Sequence, residues 1–156
     1  MDLRGKTAYP LGLRNNNPGN LRPTGTTWQG QVGTNSNFMV FSEMKYGTRA
    51  LGTDLSNKYY RGLNTIRKII NVYAPPSENN TEAYISAVSN KLRVMPDTVL
   101  VWNRNTLFSF MRAVMEHENG ASYANLIPDS EVNAGIDLMS SSLLLKIQGF
   151  LPPTRK

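Results

Sequence analysis

The chain has 156 residues, enough for one domain with a real core, and 40% of them are hydrophobic, ordinary for a folded protein. It has no cysteine, which excludes disulfides, thiolate metal sites and a cysteine nucleophile. Lys and Arg number 17 against 11 Asp and Glu, a formal charge of +6; this favours polyanions such as nucleic acid, anionic lipid or bacterial cell wall, but the basic residues are scattered and no nucleic-acid module is recognisable.

Residues 1–12 are polar, with Pro10 and Gly12, and read as a loosely packed lead-in. Met1–Lys6 has no apolar run, so no signal peptide is expected, and no segment approaches a membrane span. Synthesis in the host cytoplasm is the expectation. From Leu13 to Arg22 runs a turn built on Asn17-Pro18-Gly19-Asn20: Pro fixes φ, Gly accepts positive φ, and Asn side chains bond nearby backbone. Asn15, Asn16 and Asn17 before it offer donors and acceptors together, which suits sugar hydroxyls and acetamido groups; Asn20 belongs to the same set.

Residues 28–41 predict a β-hairpin, with Trp28–Val32 and Phe38–Phe41 as arms and residues 33–37 as the turn. Met39 and Phe41 would share one face, Phe38 and Val40 the other. Trp28 suits either the core or a sugar ring. Residues 42–60 turn helical, with Tyr46, Ala50, Leu51, Leu55 and Tyr59 at the helical period. Asn64 or Thr65 caps a helix with stripe Ile66, Ile69, Ile70 and Tyr73. Pro75-Pro76 breaks it, and Asn80 or Thr81 caps a helix burying Tyr84, Ala87, Val88 and Leu92. Asp129 or Ser130 caps a last helix with stripe Val132, Ile136, Met139, Leu143 and Ile147; Gly149 closes it and Pro152-Pro153 opens a tail.

Between these lies the helix Thr106–Gly120. Helical residues turn by about 100°, so with Met111 at zero, Leu107, Phe108, Val114 and Met115 fall within about 60°. Glu118 falls about 20° from the middle of that apolar stripe, at the last turn before the helix stop Asn119-Gly120. Glu116 points away and His117 to one flank. A carboxyl on an apolar line is expected to be partly desolvated, which raises a carboxyl pKa and suits a proton donor in glycosidic bond cleavage. The sum is one α+β domain over residues 1–156, mostly helical, with about five helices and one small β-hairpin, a lead-in at 1–12 and a tail at 150–156. The polar segments 74–80 and 121–128 are long enough to line a cleft.

Leu13–Arg22, Phe38–Phe41 before Tyr46–Ala50, Ala74–Thr81 and His117–Gly120 resemble phage and prophage virion-associated or lytic proteins of lysozyme-like, lytic-transglycosylase-like type, across roughly residues 13–137. In soluble lytic transglycosylases and goose-type lysozymes the helix ending in the catalytic glutamate comes early; here it comes late, so the resemblance implies a circularly permuted lysozyme-like fold. Glu118-Asn119-Gly120 stands where those enzymes have Glu-Ser, and their Gly-x-x-Gln motif is missing. The implied activity is cleavage of the β-1,4 bond between N-acetylmuramic acid and N-acetylglucosamine, by lytic transglycosylase or muramidase chemistry.

Hydrolysis usually needs a second carboxylate about 5–9.5 Å from the acid. Glu43 and Glu78 are the candidates, since each adjoins a suspected cleft segment, whereas Asp54, Asp97, Glu116 and Asp137 read as solvated. With no second carboxylate, Glu118 serves as acid and then base, and the muramyl 6-hydroxyl attacks to give an anhydro product. Asn79, Asn80, Tyr73, His117, Asn119 and Tyr123 complete the candidate substrate-binding set with Asn15–Asn17, Asn20 and Trp28. One histidine and no cysteine offer too few ligands for zinc, and no cofactor motif is present. The expected partner is bacterial peptidoglycan, not nucleic acid and not a membrane interior, met by a monomer that reaches the wall through a holin or in the virion. The rival reading is a non-catalytic virion structural or cell-wall-binding protein.

Overall fold

The computed structural model describes residues 1–148; the expected stop at Gly149 and tail at Pro152-Pro153 lie outside the described residues. Among the described residues the chain is mostly helical, with eight helices and a two-stranded antiparallel sheet. The sheet is β1 (Gln31–Asn35) and β2 (Phe38–Phe41). The helices are α1 (Leu11–Arg14), α2 (Met44–Tyr60), α3 (Ile66–Tyr73), α4 (Thr81–Leu92), α5 (Arg104–Asn119), α6 (Ala121–Ala124), α7 (Asp129–Asp137) and α8 (Ser141–Ile147). None is long and apolar enough to cross a membrane.

The five expected helices are present, and three differences add to the count. The lead-in runs into the four-residue α1. A further four-residue helix, α6, follows Gly120. The expected last helix is two, because Ser140 ends one and caps the next, its side chain accepting from Leu143 N. Met139, Leu143 and Ile147 are buried all the same, so the apolar stripe runs across the break. Asp129 is the first residue of α7, after Pro128, and caps nothing.

The hairpin turn is two residues, Ser36 and Asn37, both at positive φ (52° and 67°). That is the twist antiparallel strands prefer, and it draws Gly33–Asn35 into β1. Met39 and Phe41 are fully buried, with Phe38 and Val40 half-buried, so the expected alternation holds.

Two apolar clusters form. The larger lies among α2–α5, α7 and α8, with α5 through its middle: Leu107, Phe110, Met111, Val114 and Met115 are all fully buried. The smaller joins Leu21, Met39, Phe41 and Ala50 under the hairpin. Tyr73, at the end of α3, packs against both. The seam between the clusters is where the groove opens.

The start of the chain is tied down, contrary to the loose lead-in expected. Met44 N donates to Met1 O at 2.8 Å, Leu3 N to Asn16 Oδ1 at 2.9 Å, and Asn16 Nδ2 to Asp2 Oδ1 at 2.9 Å. Arg4, by side chain and backbone N–H, and then Asn16 hold the Asp2 carboxyl well below the usual carboxylate range.

Close packing is tightest where α2 passes the Asn-rich turn. A Cβ on Gly47 would sit 1.8 Å from Asn16 O, a backbone atom. Gly47→Ala must therefore displace the turn; overpacking of this kind costs about 1–3 kcal/mol or more. Urea denaturation of the variant should show a fall in stability at least that large.

Candidate functional site

Glu118 sits on the last turn of α5, half-buried, one residue before Asn119. The helix stops as expected at Gly120, whose φ is +86°. Asn119 is buried, and its Nδ2 donates to Met115 O at 3.0 Å and to Pro18 O at 2.9 Å. One amide thus closes the helix and fastens the Asn17–Asn20 turn to it.

The turn is held from the other side by Tyr73, whose hydroxyl donates to Gly19 O. Gly19 has room for it, since a Cβ there would meet that hydroxyl at 2.6 Å. Asn20 follows at a φ of +50°, a conformation Asn tolerates better than most residues. Its Nδ2 then reaches Glu118 Oε1 at 2.8 Å. The other carboxylate oxygen, Oε2, accepts from the Tyr84 hydroxyl at 2.9 Å. Glu118 therefore has one donor from the turn and one from α4. Burial raises the Tyr84 and Tyr73 hydroxyls well above the ordinary phenol value, and the Glu118 charge adds to this. Both remain protonated donors at neutral pH.

A groove of about 340 Å³ opens in front of this carboxylate. Gly19, Asn20, Arg22 and Phe38 form one wall; residues 72–75, Glu78 and Asn79 form the other, with Glu118 lining it too. The walls are bridged by Arg22 and Glu78, 3.0 Å apart and both about half exposed. Surface pairs of this kind are worth little and open readily. A larger hollow of about 400 Å³ lies around Val99 and Leu100, and no ionisable side chain lines it.

The groove brings together five of the residues singled out from sequence: Glu118, Glu78, Asn20, Asn79 and Tyr73. The others stand elsewhere. Asn15, Asn16 and Asn17 are buried and absent from the groove lining. Asn17 Nδ2 donates to Leu21 O and Met39 O, each at 2.9 Å, while its Oδ1 accepts from Leu21 N at 3.0 Å. Asn16 Nδ2 also donates to Phe41 O at 2.9 Å, and Asn15 Oδ1 accepts from Asn35 Nδ2 at 3.0 Å. These amides join the turn to the hairpin and are not presented to a ligand. Asn80 caps α4 through Ala83 N. Asn119 serves as described. His117 is exposed, its ring 3.9 Å between centroids from the Tyr84 ring, and it does not line the groove. Tyr123 packs edge-on to Tyr9 outside the groove. Trp28 lines an adjoining hollow, its indole N–H donating to Thr24 Oγ1 at 2.8 Å. Glu43 lies 3.9 Å from Lys45 Nζ and is not part of the lining. Among the described residues, no group of three or more His, Cys, Asp or Glu is placed to hold a metal ion.

The residue missed from sequence is Tyr84, read there only as core. The signal was available: a tyrosine on a buried stripe must bring its hydroxyl to a partner. Arg22 and Phe38 were missed because their part depends on which loops meet.

No family model matches the chain. It is similar to "Protein P5" of Pseudoalteromonas phage PM2, 35% identical over 118 residues that cover 71% of this chain and 72% of that protein.

Asn17 and Asn79 separate the two kinds of asparagine. Asn17→Ala leaves the buried Met39 carbonyl and Leu21 N–H without their partner, while Leu21 O keeps Met39 N as donor; at about 1–3 kcal/mol for each orphaned group, denaturant unfolding should show a loss of at least about 2 kcal/mol. Asn79→Ala, at an exposed position, should stay within about 0.5 kcal/mol of wild type.

Proposed function

We propose, from the premise that this chain belongs to the family of Protein P5 of Pseudoalteromonas phage PM2, that it is a peptidoglycan glycosidase cleaving the β-1,4 bond between N-acetylmuramic acid and N-acetylglucosamine. The observation that carries the reading is one half-buried carboxylate, Glu118, fixed by Asn20 and Tyr84 in a groove whose walls carry amide and charged side chains. A phage relative supports a bacterial wall as target, because the wall is a barrier a phage must breach. A lysozyme-like arrangement, circularly permuted so that the helix-ending glutamate comes late, belongs to the same proposal.

Glu118 in its acid form gives its proton to the leaving glycosidic oxygen as the bond breaks. The carboxylate so formed is held by the Asn20 amide and the Tyr84 hydroxyl. It then takes the proton of the attacking hydroxyl, regenerating the acid. In the transglycosylase route the attacker is the muramyl 6-hydroxyl and no second carboxylate is needed. In the muramidase route the attacker is water, whose proton goes instead to Glu78, freed from Arg22, and exchange with solvent then reprotonates Glu118 and deprotonates Glu78. The two fixed donors supply orientation, which a loop carboxylate would lack. Carriage in the virion or holin-dependent release brings the protein to its substrate.

Glu118→Gln should remain folded, because an amide can keep one of the two hydrogen bonds, and should lose at least about 100-fold of wall cleavage, the contribution typical of general acid–base catalysis. A turbidity assay on purified peptidoglycan reads this. Mass spectrometry of the wild-type digest then reads the route: anhydro-muramyl ends for the transglycosylase, reducing muramyl ends for the muramidase. Binding without cleavage by the wild type would leave a wall-binding module in place of the enzyme.

A further inference from the structure

His117 and Glu118 are consecutive on the last turn of α5, and one side chain of α4 touches both. The His117 ring lies 3.9 Å from the Tyr84 ring between centroids, with 32° between the planes. The hydroxyl of the same tyrosine donates to Glu118 Oε2 at 2.9 Å. Tyr84 thus presents its face to the imidazole and its polar end to the carboxylate. Its ring is 1% exposed and is met edge-on by Tyr73, 6.4 Å between centroids, so it is held between these neighbours.

Imidazole is the side chain that ordinarily changes charge between pH 5 and 8. His117 is exposed and can exchange a proton with solvent, whereas Tyr84 stays a neutral donor. An imidazolium is attracted to the negative face of a phenol ring. It also draws electron density from that ring, which makes the hydroxyl a stronger donor. A stronger hydrogen bond to the charged form of an acceptor favours that form. A proton on His117 therefore favours ionised Glu118. Ionised Glu118 favours the proton on His117 by the same factor, because coupling between two sites is reciprocal.

The surroundings leave this link intact. Glu116, on the other side of His117 in the chain, is engaged by Lys91 of α4 at 2.9 Å. Tyr73 binds Gly19 O through its hydroxyl and meets Tyr84 by its ring alone. The C-terminal end of α5 adds a preference for positive charge at this position.

We propose that His117 is a positioning residue that sets, through Tyr84, how firmly Glu118 holds its proton. When His117 loses its charge, Glu118 keeps its acid form to higher pH. The use of this coupling rests on the glycosidase reading above, but its measurement needs neither substrate nor turnover.

NMR titration of the full chain against pH is the test. His117 is the only histidine, so its ring Cε1–H resonance reports its own titration. The side-chain carboxyl resonance of Glu118 is the one lost in Glu118→Gln. His117→Phe keeps a ring against Tyr84 without charge, and His117→Arg keeps a charge able to stack on an aromatic face. Glu118 should hold its proton at least about two-fold more tightly in the Phe variant than in the Arg variant, with wild type between them. Glu118→Gln should weaken the hold of His117 on its proton by at least about two-fold. In a Tyr84→Phe background, which keeps the ring and removes the hydroxyl, Glu118→Gln should move the His117 midpoint by less than half as much.

A smaller difference between the Phe and Arg variants, no movement of His117 in Glu118→Gln, or an undiminished effect without the Tyr84 hydroxyl would each overturn the proposal. A merely structural His117 predicts the opposite order of damage, since Phe fills its place better than Arg. Circular dichroism checks the fold of each variant; should Tyr84→Phe not fold, the first two comparisons decide. Coupling in a protein that never cleaves wall contradicts the glycosidase reading alone. Cleavage by a protein without the coupling contradicts this inference alone.

Discussion

The Asn119 amide makes two bonds that hold the site together. Among the described residues it accepts no hydrogen bond; it donates to Met115 O inside its own helix and to Pro18 O, 101 residues away in sequence. The first bond closes α5, and the second fixes the Asn-rich turn against that closure. Glu118 is the neighbouring residue, so the same clamp sets where its carboxylate stands relative to Asn20. Without it the turn and the helix would be separate pieces, and the 2.8 Å contact between Asn20 and Glu118 would have no reason to form.

The polar residues divide between scaffold and groove. Asn15–Asn17 lie inside the protein, and the Asn16 and Asn17 amides satisfy backbone groups of the turn and the hairpin, which a buried loop cannot leave unpaired. Because the scaffold is rigid, Asn20 can be held at positive φ with its amide directed at Glu118. Tyr73 and Tyr84 combine both parts: their rings pack into the clusters while their hydroxyls fix Gly19 and Glu118. A half-buried acid between two fixed donors is more constrained than a surface carboxylate, and constraint is what positioned proton transfer requires.

Helix period carried most of what could be read in advance. Glu118 on the apolar line of α5, the Asn119-Gly120 stop and the Thr65 and Asn80 caps all follow from local pattern. The groove between the Asn-rich turn and segment 74–80 was legible because both are polar, turn-forming interruptions. The roles of the individual asparagines were not, since an amide bonding backbone and an amide offered to a sugar look alike in sequence. Nor was the setting of Asp54: its partner Lys58 is one helical turn away and suggests a solvated pair, and only the packing of Trp28 and Tyr73 beside it makes a wall of it. The break at Ser140 was hidden for the opposite reason, because the stripe continues through it.

The proposed activity requires a glycan lying against Glu118 in the cleft between residues 19–22 and 72–79. The most direct measurement is a backbone and side-chain NMR titration of Glu118→Gln with the disaccharide of N-acetylglucosamine and N-acetylmuramic acid. The resonances of Asn20, Arg22, Tyr73, Asn79 and residue 118 should move together and saturate with one affinity. No shifts, or shifts gathered around Val99 and Leu100 at the other hollow, would contradict it.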